Sequence, residues 1–156
     1  MSTSIHALLE ALRSHSWRIA TAESLTGGGI GAALTAVPGS SEWFAGGVIA
    51  YQSEQKTRQL GVPPAVIAQH GVVSREVVAA MAAGVRQRFD VEVAVAVSGV
   101  AGPGGGSAQT PVGTVWIAVS APGASIEQRY HFAGNRDEVR QHTITAAINL
   151  LVKTTA

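Results

Sequence analysis

Three residues of this chain have types and positions suited to acyl transfer. Ser24 stands where an apolar segment meets a glycine run, in Glu23-Ser24-Leu25-Thr26-Gly27-Gly28-Gly29. A hydroxyl at such a strand-to-helix junction would lie beside helix N-terminal amides, which are natural oxyanion donors. The same position also suits a helix N-cap, a common structural role for serine. Lys56 follows Tyr51-Gln52-Ser53-Glu54-Gln55 and falls in the first turn of a predicted helix. An ammonium there opposes the helix macrodipole, so helix stability does not account for it. In a dry site its pKa would fall, and a neutral lysine can serve as general base for a serine. Tyr51 places a phenol at the end of the preceding strand. An exposed lysine and a packed tyrosine are the alternative reading of this pair.

A second glycine-rich run, Ser98-Gly99-Val100-Ala101-Gly102-Pro103-Gly104-Gly105-Gly106, also follows an apolar segment. The stretches 23–31 and 98–106 together hold nine of the eighteen glycines. In α/β sheets ligands sit beyond the carboxyl ends of strands, and glycine lets backbone N–H groups approach a phosphate or oxyanion closely. Tight turns alone would also use glycine. Neither loop is a nucleotide fingerprint: the first lacks the Lys-Ser/Thr ending of a P-loop, and the second does not satisfy G-x-G-x-x-G. Ser98 reads as a ligand donor or as a turn residue. Arg136 and Arg140, one helical turn apart, can meet a phosphate or pair with Asp137 and Glu138 on the surface. His6, His15, His70, His131 and His142 show no metal-binding spacing and read as surface or capping residues. No metal and no cofactor are expected.

The elements that must position these groups are legible from periodicity. Ile5, Leu8, Leu9 and Leu12 recur at helical spacing, predicting a helix over 3–15. Trp17 to Ala22 reads as a buried strand, and Ile30 to Thr35 as a small-residue helix. Val48 to Tyr51 reads as a strand, with Ser53 capping a helix that stops before Gly61. Pro63-Pro64 opens a turn of helix closing at His70-Gly71. Ser74 caps a stronger helix whose stripe is Val77, Val78, Met81, Val85 and Phe89. Val91 to Val97 is apolar almost throughout, as a strand covered on both faces would be. Val115 to Ser120 and Ile126 to Phe132 read as paired strands around a turn. Asn135 with Glu138 resembles a capping box opening the last helix. Interleaved helices and strands with one hairpin predict a three-layer α/β/α sandwich with a mixed sheet.

Composition narrows the function classes. At 156 residues the prior is one domain spanning 1–156. Only 13% of residues are charged, about half the ~25% of ordinary soluble domains. The net charge is +1 without a basic cluster, so nucleic acid is not an expected partner. A membrane span needs ~20 consecutive apolar residues, and the N-terminus lacks the pattern of a signal peptide. Cysteine is absent, which removes disulfides, thiolate metal sites and a cysteine nucleophile. A cytoplasmic location and homo-oligomer contacts through a neutral surface are the remaining expectations.

Together these stretches resemble the CinA C-terminal domain family of nicotinamide-mononucleotide amidohydrolases, in its stand-alone form. The resemblance is carried by Thr21 to Gly28, Val37 to Ser41, Tyr51 to Lys56, Leu60 to Pro63, His70 to Ser74, Val97 to Gly105, Pro111 to Trp116 and Gly134 to Arg140. It covers nearly the whole chain, in order. Leu25 stands where a cysteine is frequent, Asn135 where an aspartate is usual, and Gln52 where a smaller residue is common. The resemblance implies an α/β/α fold, frequent oligomers, and hydrolysis of the nucleotide's carboxamide to nicotinate mononucleotide and ammonia. It makes Ser24 the nucleophile, assisted by Tyr51 and Lys56. On that basis the amides around Thr26, Gly27 and Gly28 are expected to hold the oxyanion. Ser98, Gly99, Gly102, Gly104, Gly105 and Arg136 are expected to bind the rest of the nucleotide. A non-catalytic module that binds or senses pyridine nucleotides is the alternative, since it would keep the glycine loops without needing Ser24, Tyr51 and Lys56 to converge.

Overall fold

A computed structural model describes residues 2–156. Its elements in chain order are α1 (Ser2–His15), β1 (Ile19–Glu23), α2 (Gly29–Thr35), β2 (Phe44–Ile49), α3 (Ser53–Leu60) and α4 (Pro64–His70). They continue with α5 (Arg75–Phe89), β3 (Val93–Gly99), β4 (Thr114–Ala121), β5 (Ala124–His131) and α6 (Arg136–Thr155). The five strands form one open mixed sheet in the order β2-β1-β3-β4-β5. β1 pairs in parallel with β2 and β3, while β3–β4 and β4–β5 are antiparallel. This is the three-layer α/β/α sandwich that the apolar patterning predicts.

The two faces of the sheet differ because strand side chains alternate with a period of two. On β3, Val93, Val95 and Val97 join the core beneath α1, α2 and α6, together with Ile19, Ile117 and Val119. The intervening Ala94 and Ala96 join Ala20, Ala22 and Ala118 beneath α3, α4 and α5. Branched residues fill the first layer, and alanines let α5 lie close over the second. Val77, Val78, Met81 and Val85 of α5 supply the apolar surface there. Truncating Met81 would leave a cavity costing about 2–5 kcal/mol.

Caps are partly as the sequence predicts. The Ser74 side chain accepts from Val77 N, and Asn135 and Glu138 form the reciprocal capping box at α6. Ser53, by contrast, is already helical: Gln52 is the N-cap of α3, without a side-chain hydrogen bond. β2 also begins at Phe44 rather than Val48. Gly46 and Gly47 hide it, because glycine carries no strand propensity. A Cβ on Gly47 would strike Thr21 Oγ1 and the Thr21 carbonyl on β1, so the packing of these two strands demands the small residue.

The topology places one set of loops together. Three parallel strands end on one edge, delivering Ser24 after β1, Ala50 and Tyr51 after β2, and Val100 after β3. The antiparallel hairpin returns to that edge at His131, which pairs with Thr114, so α6 starts there too.

Candidate active site

Ser24 follows directly on β1, where Glu23 O accepts from Ala50 N at 2.8 Å and ties the ends of β1 and β2 together. Lys56 projects from the first turn of α3 and is only 1% exposed. Its Nζ lies 3.0 Å from Ser24 Oγ, 2.8 Å from Ala50 O and 3.1 Å from Tyr51 O. Burial pulls its pKa down to about 8, because loss of water penalises the charged ammonium. A neutral amine has two N–H donors and one lone pair. The two carbonyls can only accept, so both donors are committed to Ala50 and Tyr51, and the lone pair is left facing the Ser24 hydroxyl. Two main-chain oxygens therefore orient the amine as a base for Ser24.

Tyr51 contributes differently from the sequence expectation. Its carbonyl meets Lys56, while its half-exposed phenol accepts from Arg136 Nη2 at 2.7 Å. The structure does not bring this hydroxyl to Ser24. Arg136 Nη1 donates to Gly102 O at 2.7 Å, so one guanidinium bridges the turn after β2 and the second glycine loop. Arg140 points elsewhere, donating to Leu25 O at 3.0 Å and Thr26 O at 3.3 Å, with Asp137 3.9 Å away.

The first glycine loop is organised by Glu23, buried at 2% exposure. Its Oε1 accepts from Thr26 Oγ1 (2.6 Å), Gly28 N (3.2 Å) and Ile30 N (2.9 Å), and its Oε2 from Gly31 N (3.0 Å). A carboxylate at the start of α2 thus consumes the amides that a free helix N-terminus would offer to a ligand. Gly27 N and Gly29 N bond to Ser24 O and Thr26 O. Thr26, Gly27 and Gly28 accordingly lie outside the wall of the cavity that Ser24 and Leu25 line. Glutamate one position before the serine was the signal for this arrangement, and only the fold shows that its side chain turns back beneath the loop.

That cavity measures about 510 Å³, within the range of small-molecule sites. Ser24, Lys56, Tyr51 and Arg136 line it with Gly99, Gly102, Gly104 and Gly105. Ser98 is also on its wall, but its hydroxyl donates to Val72 O at 2.9 Å and ties the α4–α5 turn to β3. Gly102 has a φ of 85° and abuts Val112, which excludes a side chain. The N–H groups of Gly104 and Gly105 have no acceptor among the described residues and are available to a ligand. His70 is exposed, as the sequence predicts, and also borders the cavity, with Nδ1 3.5 Å from Glu76 Oε1. Val73, Gln109 and Thr110 join the wall as well. Gln109 and Thr110 carry no local mark, and His70 and Val73 fall in a stretch that carries the family resemblance without a site role, because the α4–α5 turn and the loop before β4 reach the site only through the fold. Among the described residues no group of three or more His, Cys, Asp or Glu could hold a metal ion. No described helix is long and apolar enough to cross a membrane.

The molecule is an α/β/α protein with a buried serine–lysine pair beyond the carboxyl ends of its parallel strands. The CinA C-terminal domain model matches residues 2–155, and the chain belongs to that family. It is 50% identical over 144 residues to a nicotinamide-nucleotide amidohydrolase, PncC, of Pseudomonas putida, covering 92% of this chain and 90% of that protein. It is 52% identical over 136 residues to a CinA-like protein of Mycobacterium leprae, covering 86% of this chain but 32% of that longer protein. A crystal structure of a CinA superfamily protein from Klebsiella pneumoniae superimposes with a TM-score of 0.93 at 34% identity, covering 98% of this chain and 96% of that one. A competence or damage-inducible protein from Enterobacter asburiae gives 0.94 at 31% identity, covering 98% and 96% of the two chains.

Proposed function

We propose that this protein, over residues 1–156 as one domain, hydrolyses the carboxamide of nicotinamide mononucleotide to nicotinate mononucleotide and ammonia. The observation that carries the reading is the 3.0 Å contact between Ser24 Oγ and a desolvated Lys56 Nζ. The similarity over nine-tenths of the Pseudomonas putida amidohydrolase supports it. Lys56, neutral, takes the Ser24 proton directly as Oγ bonds to the amide carbon. Collapse of the tetrahedral adduct breaks the C–N bond, and Lys56 returns the proton to the departing ammonia. Water then hydrolyses the serine ester by the same route. Tyr51 supports the base through its carbonyl and orients Arg136 through its phenol. Arg136, Gly99, Gly102, Gly104 and Gly105 bind the nucleotide's ribose phosphate, with Ser98 holding the wall in shape.

No metal, cofactor or nucleic acid enters this chemistry. A cytoplasmic location and assembly into a homo-oligomer complete the reading, in keeping with a nucleotide substrate and the low surface charge. Incubation with nicotinamide mononucleotide and measurement of ammonia test it. Release of ammonia that depends on Ser24 is the expected result. Binding of the nucleotide without ammonia release would instead favour a sensing module.

A further inference from the structure

A mononucleotide brings an anionic phosphate to the cavity, and the wall carries no Asp or Glu side chain to oppose it. The ionisable side chains on the wall are Tyr51, Lys56, His70 and Arg136. Lys56 is held at Ser24 by two carbonyls, and Arg136 already donates to Gly102 O and to the Tyr51 phenol. His70 is the one member of this set that the mechanism leaves unused. It is the last residue of α4, where the terminal carbonyls favour a cation.

The turn that carries His70 is fixed. Ser98 Oγ donates to Val72 O at 2.9 Å and Ser74 Oγ to Gly71 O at 2.8 Å, which pins residues 71–74 against β3. Glu76, in the first turn of α5, faces His70 Nδ1 with Oε1 at 3.5 Å. The group at one ring nitrogen of an imidazole sets the role of the other. His70 is on the cavity wall and Glu76 is not. Nε2, on the far side of the ring from Nδ1, has no hydrogen-bond partner among the described residues. In the imidazolium form both nitrogens donate. Nδ1–H then serves Glu76, and Nε2–H is left for an anion. A hydrogen bond from such a cation to a phosphate oxygen is roughly twice as strong as a neutral one.

We infer that His70 is a specificity-determining residue, with Glu76 as its positioning partner. Together they give the phosphate group a second cationic contact beside Arg136, and so favour a phosphorylated nucleoside over the free nucleoside. The inference rests on the nucleotide reading of the site. The contact lies at the rim, since the His70 and Glu76 side chains are 36% and 40% exposed, whereas the carboxamide goes to the buried Ser24–Lys56 pair. His70 touches no reacting atom in this arrangement, so its loss falls on binding.

The test is calorimetry of the full chain in a Ser24→Ala background, which holds ligand without turnover. The probes are nicotinamide mononucleotide and nicotinamide riboside, which differ only in the phosphate. Adding His70→Ala is expected to weaken mononucleotide binding about 10- to 100-fold, the effect of one charge-assisted hydrogen bond, and riboside binding by less than about twofold. His70→Gln, which keeps an uncharged N–H donor, recovers part of the loss. Glu76→Gln removes the carboxylate alone and weakens the mononucleotide by about two- to fivefold, as for an exposed ion pair. Equal weakening of both probes by His70→Ala, or an unchanged mononucleotide affinity, overturns the proposal. If the riboside binds too weakly to titrate, displacement of the mononucleotide by inorganic phosphate is read instead. A displacement constant raised by the same factor supports the contact, and an unchanged one overturns it. Chains that keep Ser24 separate the two readings. A His70-dependent mononucleotide affinity without ammonia release keeps the phosphate contact and defeats the deamidase reading, whereas ammonia release with an unmoved KM in His70→Ala defeats the contact alone.

Discussion

The two glycine-rich loops look alike in sequence and behave as opposites in the fold. The first, after β1, is buried at Ser24 to Thr26 and closed upon itself: Glu23 takes the amides of Gly28, Ile30 and Gly31, and Arg140 takes the carbonyls of Leu25 and Thr26. The second, after β3, is exposed from Pro103 onward, with Gly104 and Gly105 amides that no described residue accepts. Glycine in the first serves internal geometry around a nucleophile, and in the second it serves approach by a ligand. The general point is that glycine content locates backbone-lined sites, while the presence of a nearby buried acceptor decides whether the amides remain free.

If that division is right, the largest effect belongs to the first loop. Ser24→Ala is expected to lower kcat by at least about 10⁴-fold while the nucleotide still binds; ammonia release and calorimetric binding on the same sample would show it. Preserved turnover would erase the distinction between a chemical loop and a binding loop.

The pH dependence comes next. The lysine must be neutral to act as base, and its pKa is lowered to about 8, so kcat should rise with pH and level off above that value. Below it, turnover falls roughly tenfold per pH unit, to about one hundredth at pH 6. Lys56→Met should abolish the midpoint along with most of the rate. A profile that falls between pH 7 and 9 would contradict a neutral lysine base.

A smaller effect, expressed in KM, is expected on the binding side. Arg136→Ala removes the bridge between Tyr51 and Gly102 and a cation facing the cavity. KM should rise about 10- to 100-fold, the worth of one or two charge-assisted hydrogen bonds, with a lesser change in kcat. A loss confined to kcat would move Arg136 to the chemical side of the comparison.

The smallest effect sharpens the contrast within the second loop. A Cβ on Gly104 meets nothing within 4 Å, whereas one on Gly102 would collide with Val112 at a positive φ. Gly104→Ala should leave Tm unchanged and raise KM less than Arg136→Ala does, while Gly102→Ala should lower Tm. Thermal melts of the two variants side by side would check this.

Much of this was legible in the chain itself. Alternating valine and alanine from Val93 to Val97 announces a strand buried on both faces, and the Asn135/Glu138 spacing announces the last helix. Ser24 is legible as a serine before a glycine run, where an N-cap is the competing local reading, and Lys56 as a lysine that opposes a helix dipole; the family resemblance singles them out as a pair. The start of β2 at Phe44 was hidden because Gly46 and Gly47 carry no strand signal, their reason being the close approach of Thr21. His70 was hidden because its place on the cavity wall depends on where the α4–α5 turn lands.

What the sequence determined by itself, then, was the layered fold, the two loops and the pair of residues able to act as nucleophile and base, since periodicity and residue type are local properties. What only the tertiary structure decided was direction. It turned Glu23 under its own loop, sent the Tyr51 phenol to Arg136 and its carbonyl to Lys56, and brought Arg140 across 115 residues to the carbonyl of Leu25. Hydrogen-bond partners are chosen by distance in space, and distance in space is set by the packing of the whole chain.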